Sequence, residues 1–432
     1  MYAVVSLLRQ WYIGVRLIKI ELPKHVAYII DKLCEHGYEA FAVGGCVRDA
    51  VMGRTPHDWD ITTSAMPEEV KAIFKRTIDT GIKHGTVTIM LDKVGYEVTT
   101  YRIDGEYKDG RHPDAVLFTR NLTEDLKRRD FTINAMAYND TVGIVDEFGG
   151  IEDLKNGVIR CVGKAVDRFS EDALRILRAV RFAAQLNFSI EKNTYEAIRE
   201  LSRNLKLISR ERIQTELVKL ITSNHPEKIQ DIYELGLAKY LFDNTLLSES
   251  TDDSLYVRVS EIMNNSKTHS YLRYAGLLTF ESNVQEVLRA LKLDNKTIKT
   301  VANLVAHKDY PLIAEPIALR RAIVDVGEEV FREYYLDYIK SLVLSKETEM
   351  TMDEYDSILE TYKEIVVRGD CLNMCNMQIN GNDLREQGIT DGKEIGATLK
   401  YLFSKVVDEP EINNKEKLLE LVRSEILGNR QV

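Results

Sequence analysis

Cysteine and proline are both scarce in this 432-residue chain, and it holds no long apolar run. The five cysteines, Cys34, Cys46, Cys161, Cys371 and Cys375, are too few and too scattered for a disulfide framework, and only the last two lie near each other. Reduced thiols in a cytoplasm are therefore expected. No apolar stretch reaches the length that spans a bilayer. The opening MYAVVSLLRQWYIGVRLIKI is broken by Arg9 and Arg16 and lacks a small-residue cleavage site, so neither a membrane anchor nor an export signal is expected. Residues 1–18 signal nothing specific and are read as an N-terminal extension of unknown role. The net charge of −10 argues against a protein that coats nucleic acid indiscriminately, but net charge can hide a local basic face. Residues 164–220 carry twelve Lys or Arg against eight Asp or Glu, so an acidic protein has a basic middle.

With only eight prolines to interrupt it, most of the chain can be helical. Residues 22–36 (LPKHVAYIIDKLCEH) repeat apolar side chains at three and four and predict a helix. YEAFAV (38–43), WDITTS (59–64), GTVTIML (85–91) and YEVTTYR (96–102) are short, β-branched and aromatic, and predict strands. From about residue 164 the pattern turns to long helical periods, as in EDALRILRAVRFAAQL (171–186) and ERIQTELVKLI (211–221). The expected fold class is α+β, a small mixed α/β head followed by helical segments. Breaks are expected near 223–228, 245–254 and 345–356, and no solenoid repeat occurs.

The densest chemistry lies in GGCVRDAVMGRTPHDWDITTSA (44–65). Side chains alternate faces along a strand, so Asp58 and Asp60 should point the same way, as a carboxylate pair sharing divalent cations requires. An acidic pair at this spacing is weak by itself: Glu354 and Asp356 repeat it where a helical pattern makes it a solvated face. The preceding Gly44-Gly45 supplies the context. A strand that ends in two glycines and turns into a helix leaves backbone N–H groups open to a triphosphate.

GGCVRDAVMGRTPHDWDITTSA resembles the signature motif of the class II nucleotidyltransferase family, which contains tRNA CCA-adding enzymes and bacterial poly(A) polymerases. The likeness continues from about Lys19 through RRDFTINAMAYN (128–139), VDEFGGIEDLKNGVIRCVG (145–163), EDALRILRAVRFAAQL (171–186), SRERIQTEL (209–217) and INGNDLREQGITDGKEIGATLKYL (379–402), in the family's order. It implies a polymerase-beta-like nucleotidyltransferase head (19–158), a neck that recognises the nucleotide base (159–225), a helical body (226–345) and a helical tail that binds tRNA (346–432). Carried over residue by residue, Gly44 and Gly45 face the triphosphate, and Asp58 and Asp60 bind Mg²⁺ and carry catalysis. Arg128, Arg129, Asp130 and Asn134 contact phosphate and ribose, and Arg48 of the signature motif joins the nucleotide-binding set. Glu171, Asp172 and Arg175 recognise the base, with Asp172 and Arg175 as the reading pair and Glu171 orienting the arginine, and Arg178 joins the nucleotide-binding set.

Arg48 and Asp49 could equally form a structural ion pair, and Glu97 could be a third active-site carboxylate or a solvent-facing strand residue. Asp172 and Arg175 suit cytosine and adenine, which both offer an exocyclic amino donor beside a ring-nitrogen acceptor. The loop DGEYKDGRHPDAVLF (104–118) corresponds to the flexible loop that family members need for adding A. LRYAGLLTF (272–280) and NLVAHKDYPL (303–312) look like remnants of an HD-type hydrolase, but Thr279 and Phe280 stand where a His-Asp metal pair would be and His307 is an ordinary helix residue. The implied activity is untemplated addition of C, C and A to a tRNA 3′ end from CTP and ATP; addition of A alone and poly(A) polymerisation are the alternatives. Basic side chains such as Lys206 and Arg210 are expected to grip tRNA phosphates, with the protein a monomer or homodimer and no membrane partner.

Overall fold

The structure is a computed structural model that describes residues 18–105, 116–242, 245–250 and 253–428. The N-terminal extension, except for Ile18, and residues 106–115 of the charged loop lie outside the described residues. The chain divides into two compact units, Met1–Ser248 and Glu249–Val432.

The first unit is built on a seven-stranded sheet. Helix α1 (Lys24–Glu35) buries Val26, Ile29, Ile30 and Leu33, the three-and-four spacing of an amphipathic face. Strand β1 (Ala40–Val43) is buried along its whole length and leads through Gly44 into the short helix α2 (Gly45–Val51). Strands β2 (Ile61–Thr63), β3 (Thr77–Gly81), β4 (Thr86–Leu91), β5 (Val94–Thr100), β6 (Met136–Asn139) and β7 (Gly143–Asp146) complete the order β3-β4-β5-β2-β1-β6-β7. β1 runs antiparallel to β2 and β6, with Ala42 opposite Ile61 and Tyr138, whereas β2 and β5 are parallel, with Ile61 opposite Val98. One sheet face packs Ala42, Ile61, Val87, Ile89 and Val98 against the apolar side of α1 in a single core cluster.

Beyond the sheet, α3 (Ala165–Glu171), α4 (Leu174–Leu186) and α5 (Arg210–Ile221) form a helical neck. The uninterrupted helix expected over 171–186 does not occur. Asp172 leaves the helix with φ −145° and ψ 104°, and its carboxylate accepts a hydrogen bond from the Leu174 N–H at 3.0 Å. A short acidic side chain that satisfies a free amide at a helix start competes with helix continuation, and here it ends one helix and starts the next.

The second unit is helical among its described residues, with helices including Ser254–Asn265, Asn295–Ala306, Pro316–Val326, Met352–Arg368 and Gly392–Asp408. Buried Arg320 ties its parts together by donating to the carbonyls of Val407 (2.5 Å) and Asp408 (2.9 Å) and to Asp370 (3.1 Å). Thr279 bonds its own helix at the Ala275 carbonyl, Phe280 lies beneath the Arg258 guanidinium at 4.1 Å, and His307 Nδ1 faces the Asn303 carbonyl at 2.9 Å. These side chains are engaged in packing and helix contacts.

Candidate active site

Gly44 has a backbone that side-chain-bearing residues rarely adopt, φ 82°. A Cβ there would also stand 2.8 Å from Arg129 Nη1, so both backbone and space require glycine. Its N–H donates to the Met136 carbonyl and its carbonyl accepts from the Arg48 N–H, which fixes the turn between β1 and α2. Cys46 Sγ closes the underside by donating to the Val43 carbonyl at 3.3 Å.

Asp58 and Asp60 precede β2 and do not sit within it, a small departure from the expected strand. The ladder nevertheless reaches Asp60, whose carbonyl accepts from the Val43 N–H at 3.0 Å. Trp59 and Ile61 pack inward against the core, so the two exposed carboxylates alternate outward together. Loss of hydration pushes the Asp60 carboxyl above the usual range; Arg129 opposes the shift and the Asp58 charge adds to it. Two hard oxygen donors that repel each other and have no salt-bridge partner among the described residues fit a divalent cation that completes its shell with water and phosphate oxygens. Glu97 is exposed one residue before Val98, as Asp60 is one residue before Ile61, so the parallel register sets the two on neighbouring strands facing the same way. Among the described residues no group of three or more His, Cys, Asp or Glu is arranged to hold a metal ion.

Behind the carboxylates runs a buried polar network. Arg48 pairs with Asp49 (2.8 Å) and donates to Asn134 Oδ1 (2.7 Å); Asn134 donates to Asp130 (3.2 Å), and Asp130 takes Arg178 at 2.6 Å. The Arg48–Asp49 pair is thus a real ion pair that also reaches the RRD segment. Burial alone would raise the Asp130 carboxyl, but the Arg178 guanidinium outweighs it and holds the group down at about 2. Arg128 and Arg129 both turn onto Asp125, a fully buried carboxylate, at 2.8 and 3.6 Å.

The neck supplies the opposite wall. Glu171 and Arg175 pair at 2.5 Å across one helical turn's spacing, and Arg175 also donates to the Arg128 carbonyl. A continuous helix over 171–186 would put Arg175 on one face with both Glu171 and Asp172, but the break leaves only Glu171 beside it. Asp172 stands outside the helix and is gripped at both oxygens by Arg212, at 2.7 and 3.2 Å. Arg181 faces Glu216 at 2.6 Å, and its guanidinium lies 3.8 Å from the Phe182 ring, with those of Arg48 and Arg178 at 5.1 and 5.4 Å. Burial lowers the Arg181 guanidinium to about 10 despite Glu216.

Asp125, Arg181, Phe182, Arg212 and Glu216 were not singled out from sequence. Asp125 had a local signal, three and four residues before two arginines at a helix end; the Arg212 and Glu216 contacts span too much sequence to leave one. Arg210, expected to face tRNA, instead donates to the carbonyls of Tyr240 and Leu241. Head and neck walls enclose a cleft of about 710 Å³ lined by Gly45, Arg48, Asp58, Asp60, Arg181 and Lys219, among others.

A glycine turn and two outward carboxylates on one wall of such a cleft fit a nucleotidyltransferase head. Residues 40–160 accordingly match the Poly A polymerase head domain, 187–246 the probable RNA and SrmB-binding site of polymerase A, and 264–422 a putative tRNA nucleotidyltransferase domain 2. The chain is 37% identical over 401 residues to the CCA-adding enzyme of Ligilactobacillus salivarius, covering 91% of this chain and 94% of that protein. It is likewise 37% identical over 410 residues to the CCA-adding enzyme of Enterococcus faecalis, covering 93% and 96%. The crystal structure of the Bacillus stearothermophilus CCA-adding enzyme in complex with CTP matches at 32% identity and a TM-score of 0.76, over 94% of this chain and 98% of that one. The chain belongs to the class II tRNA nucleotidyltransferases of the CCA-adding type.

Proposed function

We propose that this nucleotidyltransferase adds C, C and A in turn to the 3′ end of cytoplasmic tRNA, using CTP, ATP and Mg²⁺. The observation that carries this reading is the outward pair Asp58 and Asp60 in one cleft with Arg181 and Lys219 of the neck; Arg175 belongs to the same helix as Arg181, and Asp172 stands just before that helix. The terminal 3′-oxygen bonds to the α-phosphorus as the α–β bridging P–O bond breaks, and pyrophosphate leaves. Asp58 and Asp60 would hold the cation, which when bound would lower the pKa of the attacking hydroxyl and offset charge on the leaving group. Gly44 and Gly45 let the triphosphate approach the backbone. Arg48, Asp130 and Asn134 form the network beneath the phosphates and ribose, and Arg128 and Arg129 are steadied by Asp125. Arg178 links Asp130 to the neck.

Selection of the base rests on hydrogen bonding. The Asp172 carboxylate accepts from the exocyclic amino group of C or A, and Arg175, oriented by Glu171, donates to the ring nitrogen. Uracil and guanine present a carbonyl beside a ring N–H and leave both groups mismatched. Arg212 holds Asp172 in place. The basic neck and the tail grip the tRNA. The test is incubation with tRNA transcripts ending before CCA, after C and after CC, each with CTP and ATP: all three should be completed to CCA. Extension only of the transcript ending in CC would instead identify an A-adding enzyme.

A further inference from the structure

Arg48 and Arg181, which line the cleft, are matched to the carboxylates of Asp49 and Glu216, as elsewhere in the head and neck Arg129 is to Asp125, Arg178 to Asp130 and Arg212 to Asp172. Two cations that line the same cleft are different. Arg54 follows α2 on the head wall, and Lys219 lies in the last turn of α5 on the neck wall; both side chains are exposed. Among the described residues neither has a carboxylate within ion-pairing distance. The uncharged polar side chains Thr55 and, past the end of α5, Thr222, Ser223 and Asn224 line the cleft beside them.

Carboxylate-matched arginines are fixed in place and suit a small ligand of defined shape. Exposed, unmatched cations on long side chains suit a polyanion whose binding releases counterions. We infer that Arg54 and Lys219 clamp, from opposite walls, the backbone phosphates of the RNA 3′ end as it enters the cleft toward Asp58 and Asp60. This inference rests on the proposed function, because it takes an RNA terminus as the acceptor. The exposed Thr55 hydroxyl and Asn224 amide add neutral donors for phosphate oxygens, so that the strand is held without reference to its sequence.

The test uses the full-length protein carrying Arg54→Ala, Lys219→Ala or both, with Arg54→Lys and Lys219→Arg as charge-preserving variants. Dissociation constants for tRNA lacking CCA are measured without nucleotide across 50–200 mM KCl, and KM for CTP and ATP in separate assays. Each alanine variant should weaken tRNA binding roughly five- to tenfold at low salt and flatten the plot of log K against log salt by about 0.7–0.9. The charge-preserving variants should keep the wild-type slope, and KM for both nucleotides should stay within about twofold of wild type. A tenfold rise in KM for CTP with tRNA affinity unmoved would overturn the inference and assign the pair to the triphosphate. No change in either quantity would overturn it as well. The wild-type enzyme separates this from the reading beneath it: failure to extend any tRNA transcript refutes the proposed function, whereas the binding slopes are obtained without turnover.

Discussion

Replacing Asp130 by Asn perturbs the centre of the buried network while keeping side-chain size. The carboxylate is 7% exposed and accepts from the Phe131 N–H, Asn134 Nδ2 and Arg178 Nε, at 2.9, 3.2 and 2.7 Å. Its titration is pulled from 3.8 down to about 2, a depressed carboxylate. Such a group stabilises the folded state fully at pH values above its unfolded pKa, and this contribution is lost as pH falls through the folded value. At about 1.4 kcal/mol per unit, the contribution is about 2 kcal/mol at pH 7 and about 1 kcal/mol at pH 3. For a folding unit of this size, the variant should melt roughly 4–8 °C below wild type at pH 7. That gap should shrink by about half at pH 3. Scanning calorimetry of both proteins at several pH values between 7 and 3 measures it. A gap that stays constant across this range would refute the argument, because the loss would then come from packing or neutral hydrogen bonds.

Three further outcomes are expected. Asp58→Asn or Asp60→Asn should lower single-turnover incorporation by more than about a hundredfold while tRNA affinity stays within about twofold; residual turnover within tenfold of wild type would contradict the cation assignment. Gly44→Ala forces a left-handed backbone onto alanine and pushes its Cβ against Arg129, so stability should fall by about 1–3 kcal/mol and KM for CTP should rise, as chemical denaturation and steady-state rates would reveal. Asp172→Ala and Arg212→Leu should each cut discrimination for CTP and ATP against UTP and GTP by about 1–3 kcal/mol, measured as kcat/KM for all four nucleotides; lower rates with unchanged ratios would place base selection elsewhere.

Much of the head was legible because its signals are local. Alternation around Ile61 and Val98, the apolar stripe of α1 and the Gly44-Gly45 turn each follow from residues within a few positions of one another. The DxD pair was legible as chemistry, although its place just before β2 shows that outward alternation can outrun the formal strand. The helix break at Asp172 was misread because the apolar period of 174–186 extends back through Ala173. The contrary signal was present: an aspartate just before the apolar run is a helix-start residue. What no local pattern could supply is the partner of each charged side chain. Asp172 looks from sequence like a companion of Arg175, whereas its partner Arg212 lies 40 residues on. Arg210 reads from sequence as a phosphate ligand, whereas it donates to the carbonyls of Tyr240 and Leu241, 30 and 31 residues on.

The matched ring of charges around the neck also constrains how this enzyme can drift over generations. Losing one member of Arg178–Asp130, Arg181–Glu216 or Arg212–Asp172 strands an opposite charge, at a cost of about 2 kcal/mol or more that is steepest for the well-buried Arg181–Glu216 pair. Single steps away from this arrangement are therefore steep, while a double step that exchanges acid and base across Arg181 and Glu216 preserves neutrality. Pairs far apart in the chain are bound to change together or not at all, and a deleterious change at one should be relieved by a second at its distant mate.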